Sequence, residues 1–213
     1  MLAAICFTGV TYASVIQLDS RAGLTTSMSG VFTVATAAHP VWQASHPINP
    51  GDPTDTSAVW ISYADTGYGG TYFQPYMGTT PAFSVFDSFT SGTGILNLNV
   101  WADDSADVLL DGIYLTHAFF TQNTCSGQPI GCTPKDVGSF HANLTSGNHT
   151  LEFVVYQTGT GDNTTNNPLG LLYTGTAPAP EPASCFLAGA ALIAVGLVKR
   201  RRSGTKSTNS EVR

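Results

Sequence analysis

The sequence predicts an all-β body, a single antiparallel sandwich, followed by one C-terminal transmembrane helix. Three observations carry this. Apolar and polar residues alternate with period two in several short runs, turn pairs separate those runs, and one uncharged stretch near the C-terminus runs into a block of cations. The chain has 213 residues, 42% of them hydrophobic and only 10% charged. An average soluble domain carries about 25% charged residues. A core is therefore available, and the long-helix composition rich in Ala, Glu, Lys and Arg is absent from the body.

Met1–Ala13 reads as the end of a signal peptide. Apolar Leu2–Val10 leads to Thr11-Tyr12-Ala13, with a small residue before the expected cut. No Lys or Arg precedes the apolar stretch, so the segment 1–13 is read as truncated. The β-sandwich is expected over 14–176. Its clearest strand is Ile95–Ala102, where Leu96, Leu98, Val100 and Ala102 share one face and Asn97, Asn99 and Trp101 the other. In His149–Gln157, Leu151, Phe153 and Val155 point one way and Glu152 the other. Val31–Thr36, Ala58–Tyr63, Ala82–Phe89 and Leu169–Thr174 are further strands. Asp111-Gly112 between Val108–Leu110 and Ile113–Leu115 marks a hairpin, because both turn residues accept positive φ. His39–Thr56, with four prolines, and Thr158–Pro168 are loops at the rim.

Charge is distributed unevenly. Between Ser14 and Ala177 only Arg21 and Lys135 oppose twelve acidic residues, a net of −10. Such a body does not attract phosphate backbones, which excludes nucleic acid as a partner. Six of the eight cations follow Val198. The segment 177–182 is a Pro-rich linker, and Ala183–Val198 is an uncharged 16-residue stretch that spans about 24 Å as a helix. The hydrocarbon core is about 30 Å thick, so snorkelling cations and a thinned bilayer complete the span. Residues 199–213 form a basic tail that stays in the cytoplasm by the positive-inside rule and leaves the body outside.

Pro180-Glu181-Pro182, the apolar stretch Ala183–Val198 and the cations Lys199, Arg200, Arg201 and Arg202 together resemble the PEP-CTERM sorting signal of Gram-negative bacteria. The resemblance covers about the last 25 residues before a polar tail. It implies export, an inner-membrane intermediate, recognition by the processing peptidase exosortase, and delivery to the cell surface or extracellular matrix. A second resemblance covers Val31–Thr176. Trp42, Val59-Trp60-Ile61, Gly70–Phe73, Phe83–Phe89, Leu98–Asp104 and Val108–Gly112 are similar to the galactose-binding-like jelly roll. So are Gly147–Val155 and Asn167–Leu171. It implies an eight-stranded jelly-roll sandwich and no particular ligand.

Cys6 lies in the leader and Cys185 in the apolar stretch, which leaves Cys125 and Cys132 in the body. Gly127, Pro129 and Gly131 favour a turn between them, and an exported chain oxidises such a pair. Asp103, Asp104, Asp107 and Asp111 place four carboxylates in nine residues. Oxygen ligands on a turn at Asp103, Asp104 and Asp107 suit Ca²⁺; the competing reading is a turn rich in Asp for backbone hydrogen bonding. Trp42, Tyr68, Tyr72 and Tyr76 are candidates for stacking on sugar rings, against ordinary packing. No zinc-protease helix motif, serine elbow or phosphate loop is present, and no catalytic pair is nominated. The expected function is therefore a non-enzymatic, exported protein that binds carbohydrate of extracellular polymer. The alternatives are a secreted polysaccharide hydrolase or a purely structural matrix component.

Overall fold

The computed structural model describes residues 14–43, 58–71, 78–120, 129–158, 165, 167–181 and 193. These form two antiparallel sheets. The strands are β1 (Val15–Asp19), β2 (Thr25–Thr26), β3 (Val34–Ala35), β4 (Ile61–Ser62), β5 (Pro81–Ser91) and β6 (Gly94–Asp103). They continue with β7 (Ser105–Leu110), β8 (Ile113–Thr116), β9 (Gly138–Leu144), β10 (Gly147–Tyr156) and β11 (Gly170–Pro178). One sheet runs β3-β4-β11-β6-β9, with β1 also on β11; the other runs β2-β5-β10-β7-β8. The expected antiparallel β-sandwich is what the chain forms.

The alternation in the sequence decides which side chains meet between the sheets. Leu96, Leu98, Val100 and Ala102 of β6 are buried with Leu151, Phe153 and Val155 of β10 in the main core. Burying each such large side chain contributes about 1.5–3 kcal/mol. Phe153 stacks on Tyr173 of β11, with ring centres 4.4 Å apart. Trp101, expected on the other face of β6, packs there in a second cluster with Trp42, Trp60, Ala58, Cys132 and Leu172. Gly170 permits this outer layer. A Cβ at that position would lie 3.0–3.2 Å from the rings of Trp60 and Trp42.

The Asp111-Gly112 hairpin forms as expected, with φ of 52° and 78° at its two turn residues. Several strands differ from the sequence reading. Val31–Thr36 contracts to the Thr25–Phe32 bridge and β3, and Ala58–Tyr63 contracts to β4. β1, β2 and β9 arise where the sequence reading placed no strand. Among the described residues β9 pairs only with β6, and small or polar residues fill five of its seven positions. An edge strand of this kind needs little apolar signal.

The predicted leader 1–13 lies outside the described residues, as do Cys125, Tyr72, Tyr76, Pro182 and Lys199–Arg202. Of the expected span Ala183–Val198 only Ile193 is described. Among the described residues no helix is long and apolar enough to cross a membrane. Pro180 and Glu181 are both exposed.

Candidate functional site

The acidic run folds inward. Asp103 closes β6 and Asp107 lies within β7, so the connection between the two sheets carries the carboxylates into the protein. Asp103, Asp104 and Asp107 are all buried. Asp103 Oδ2 accepts a hydrogen bond from the indole Nε1 of Trp42 at 2.7 Å. Asp104 Oδ2 accepts from the backbone N of Thr158 at 2.7 Å. Burial pushes the Asp103 carboxyl well above the usual range, and the neighbouring Asp104 charge adds to this; the Trp42 bond pulls the other way.

Asp107 holds a different element. Its Oδ1 accepts from Ala118 N at 2.5 Å, and its Oδ2 accepts from the Tyr156 hydroxyl at 2.9 Å. Burial and the bonded Asp107 charge raise the Tyr156 pKa. Among the described residues no three His, Cys, Asp or Glu side chains gather as a group able to hold a metal ion. Asp103, Asp104 and Asp107, the residues expected as Ca²⁺ ligands, tie loops to strand ends through these bonds.

Trp42 does not present a stacking face. It is 5% exposed, and its ring lies 4.1 Å from that of Trp60. Its indole donor satisfies Asp103, so the ring packs as core. Tyr68 is exposed and meets the His39 ring edge-on at 4.7 Å. Tyr68 N donates to Ala37 O at 2.9 Å, which fixes the loop after β4 against the loop after β3.

A second group of rings was not nominated from the sequence. The run Ile113-Tyr-Leu-Thr-His-Ala-Phe-Phe120 carries no acidic residue, lysine or arginine. Its first half is β8, the edge strand of its sheet, and its second half turns back along β7. Tyr114, Phe119 and Phe120 are 50%, 47% and 40% exposed. The Tyr114 and His117 rings lie 4.0 Å apart, tilted by 33°. Phe120 meets Tyr156 edge-on at 4.9 Å. Two buried groups of β7 fix the backbone beneath these rings: Asp107 takes Ala118 N, and Ser105 Oγ takes Phe119 N at 3.0 Å. Burying a carboxylate costs free energy unless donors surround it. Here a buried carboxylate orders a segment whose aromatic rings stay in water. The uncharged run directly after a hairpin signal was the available clue, and ordinary strand alternation masked it.

No protein-family model matches this chain, and no curated protein matches it. Among solved structures it is similar to a family 35 carbohydrate-binding module from Clostridium thermocellum. The identity is 13%, with 78% of this chain and 100% of that chain covered at a TM-score of 0.33. It is also similar to a CBM35 module from Paenibacillus barcinonensis. There the identity is 11%, with 77% and 99% covered at a TM-score of 0.37.

Proposed function

We propose that this chain is an exported, non-enzymatic protein held at the cell surface or in the extracellular matrix, where its sandwich binds neutral carbohydrate of the surrounding polymer. The observation that carries the binding reading is the exposed ring row Tyr114, His117, Phe119 and Phe120, pinned from below by Asp107 and Ser105. Aromatic faces suit the apolar face of a hexose, and a site already ordered loses little entropy on binding. The body's net charge of −10 repels anionic polymer and leaves neutral sugars as the favoured class.

Export belongs to the same proposal. Its support is the ordered arrangement Pro180-Glu181-Pro182, Ala183–Val198 and Lys199–Arg202, which suits insertion in the inner membrane and processing by an exosortase-type peptidase. The Cys125–Cys132 bridge belongs there too. Its support is the short turn-forming loop between the two cysteines in an exported chain, and Cys132 is fully buried.

Affinity electrophoresis of the purified full chain through gels containing neutral polysaccharides tests the binding reading. Retardation is expected for the wild type, and Tyr114→Ala with Phe119→Ala weakens it about tenfold. Equal retardation of variant and wild type overturns the site. Fractionation of the host cells tests export, and intact chain dissolved in the cytosol overturns it.

A further inference from the structure

A cleft of about 360 Å³ opens where β1 of one sheet passes β5 of the other. Its walls are Ile16, Gln17, Asp19, Arg21, Asp87, Ser88 and Phe89, with Leu18 behind. That volume lies at the small end of the range for ligand sites. The cleft opens because, among the described residues, β2 pairs β5 only at Val85 and Phe86, and the stretch of β5 from Asp87 onward has no strand of its own sheet on that side.

The floor of the cleft is a continuous polar network. Arg21 forks onto Asp87, with Nη2 to Oδ1 at 2.9 Å and Nη1 to Oδ2 at 3.3 Å. Nη1 also donates to the Asp19 carbonyl at 3.0 Å. Behind Asp87, the Tyr173 hydroxyl donates to Oδ2 at 2.8 Å. Beside it, Asp19 Oδ1 accepts from Thr174 at 2.8 Å and from Gln17 Nε2 at 3.0 Å. Asp87, Asp19, Tyr173 and Thr174 are buried, whereas Arg21, Gln17 and Ser88 reach water. The buried members thus orient two exposed polar side chains, Arg21 and Gln17, beside the half-buried ring of Phe89.

We infer that this cleft is a second carbohydrate site, one that seats a single neutral sugar unit by hydrogen bonds to its hydroxyls. The inference deepens the carbohydrate reading given above and rests on it. Three features select the class of ligand. The guanidinium is neutralised by Asp87, with Asp19 adjacent, so a carboxylate or phosphate gains no net attraction. Donors and acceptors alternate over a short distance, which matches vicinal hydroxyl groups that each give and accept a hydrogen bond. Phe89 with Ile16 supplies the apolar wall for a C–H face. The cleft is built on β1 and β5, whereas the exposed rings are carried by β8. β5 and β8 stand three strand spacings apart in one sheet, about 14 Å. A chain with both sites holds two polymer strands at once and cross-links them.

The experiment compares the purified full chain with two double variants: Gln17→Ala with Arg21→Gln in the cleft, and Tyr114→Ala with Phe119→Ala at the edge. Titration calorimetry against neutral gluco-, galacto-, manno- and xylo-oligosaccharides, and against uronic-acid oligomers, counts sites per chain. Turbidity with the parent polysaccharide reads cross-linking. Unchanged circular dichroism verifies the fold of each variant. Two sites in the wild type are expected, with one in each variant and turbidity lost in both. One wild-type site, untouched by the cleft variant and lost in the edge variant, overturns the cleft and leaves the edge reading standing. Loss in the cleft variant alone sustains the cleft and overturns the edge reading. Binding of uronic-acid oligomers in preference to neutral ones overturns the ligand class. Silence against every sugar overturns both sites.

Discussion

Removing the Asp87 carboxylate should expose how the cleft floor is held. Asp87 is 2% exposed and accepts from both Arg21 and Tyr173. In Asp87→Ala, the Tyr173 hydroxyl keeps its burial and loses its acceptor, a cost of about 1–3 kcal/mol. Burial and the Asp87 charge already raise the Tyr173 pKa well above its ordinary value, so the phenol stays protonated and remains a donor without a partner. Arg21 is half-exposed and returns to water, so losing its ion pair costs under about 1 kcal/mol. Freedom from burying a charge offsets part of the total. The net is a loss of about 2 kcal/mol, which lowers the melting temperature by about 4–8 °C in a domain of this size. Urea unfolding at neutral pH measures it. The informative comparison is Asp87→Ala with Tyr173→Phe. That pair removes the stranded donor and preserves the stack on Phe153, so it should recover about 1 kcal/mol of the loss. Wild-type stability in Asp87→Ala, or a double variant no better than the single one, would refute the assignment.

Three further outcomes follow from other contacts. His149 is buried, with Nδ1 2.7 Å from Asp111 Oδ2 and Nε2 2.9 Å from Thr145 O, so both nitrogens need protons. The Asp111 bond chiefly raises its pKa above 6.5. For Asp111, burial pushes upward, but the His149 and Thr150 bonds outweigh it and hold the carboxyl below 3.8. The His149 contribution is thus full below about pH 6.5 and fades as pH rises through the raised value. The Asp111 contribution is full above about pH 4 and fades as pH falls through the lowered value. Urea midpoints across pH 3–9 should show this dome, and His149→Gln should flatten its alkaline side. Trp42→Phe removes the donor to buried Asp103, costs about 1–3 kcal/mol and abolishes the near-ultraviolet dichroism of the Trp42–Trp60 pair; an unchanged spectrum contradicts the packing. Reduction of the body should cost about 2–3 kcal/mol through the Cys125–Cys132 loop, and peptide mapping that finds both thiols free contradicts the bridge.

What was legible in the sequence was whatever a period of two could encode. Leu98 and Val100 against Trp101, and Phe153 against Glu152, announced both faces of β6 and β10. Asp111-Gly112 announced its turn. β1 and β9 were not legible, because short edge strands with polar or small residues are stabilised by their neighbours rather than by their own pattern. The acidic run was legible as a cluster but not as a direction. Asp residues at a strand end can face water, an ion or buried donors, and only the arrival of Trp42, Thr158 and Ala118 from distant positions decides. The cleft was illegible for the same reason, since Arg21 and Asp87 are 66 residues apart.

The last strand of the body is also the centre of its sheet. β11 pairs with β1, β4 and β6, and beyond it Ala179 N still reaches Ser14 O at 2.8 Å. A ribosome that has released only the first 169 residues has made none of β11, so three strands still lack the neighbour that joins them. That sheet therefore stays unfinished until residues 170–178 have been synthesised. Chaperone occupancy on nascent chains of increasing length should accordingly persist until residue 178 emerges.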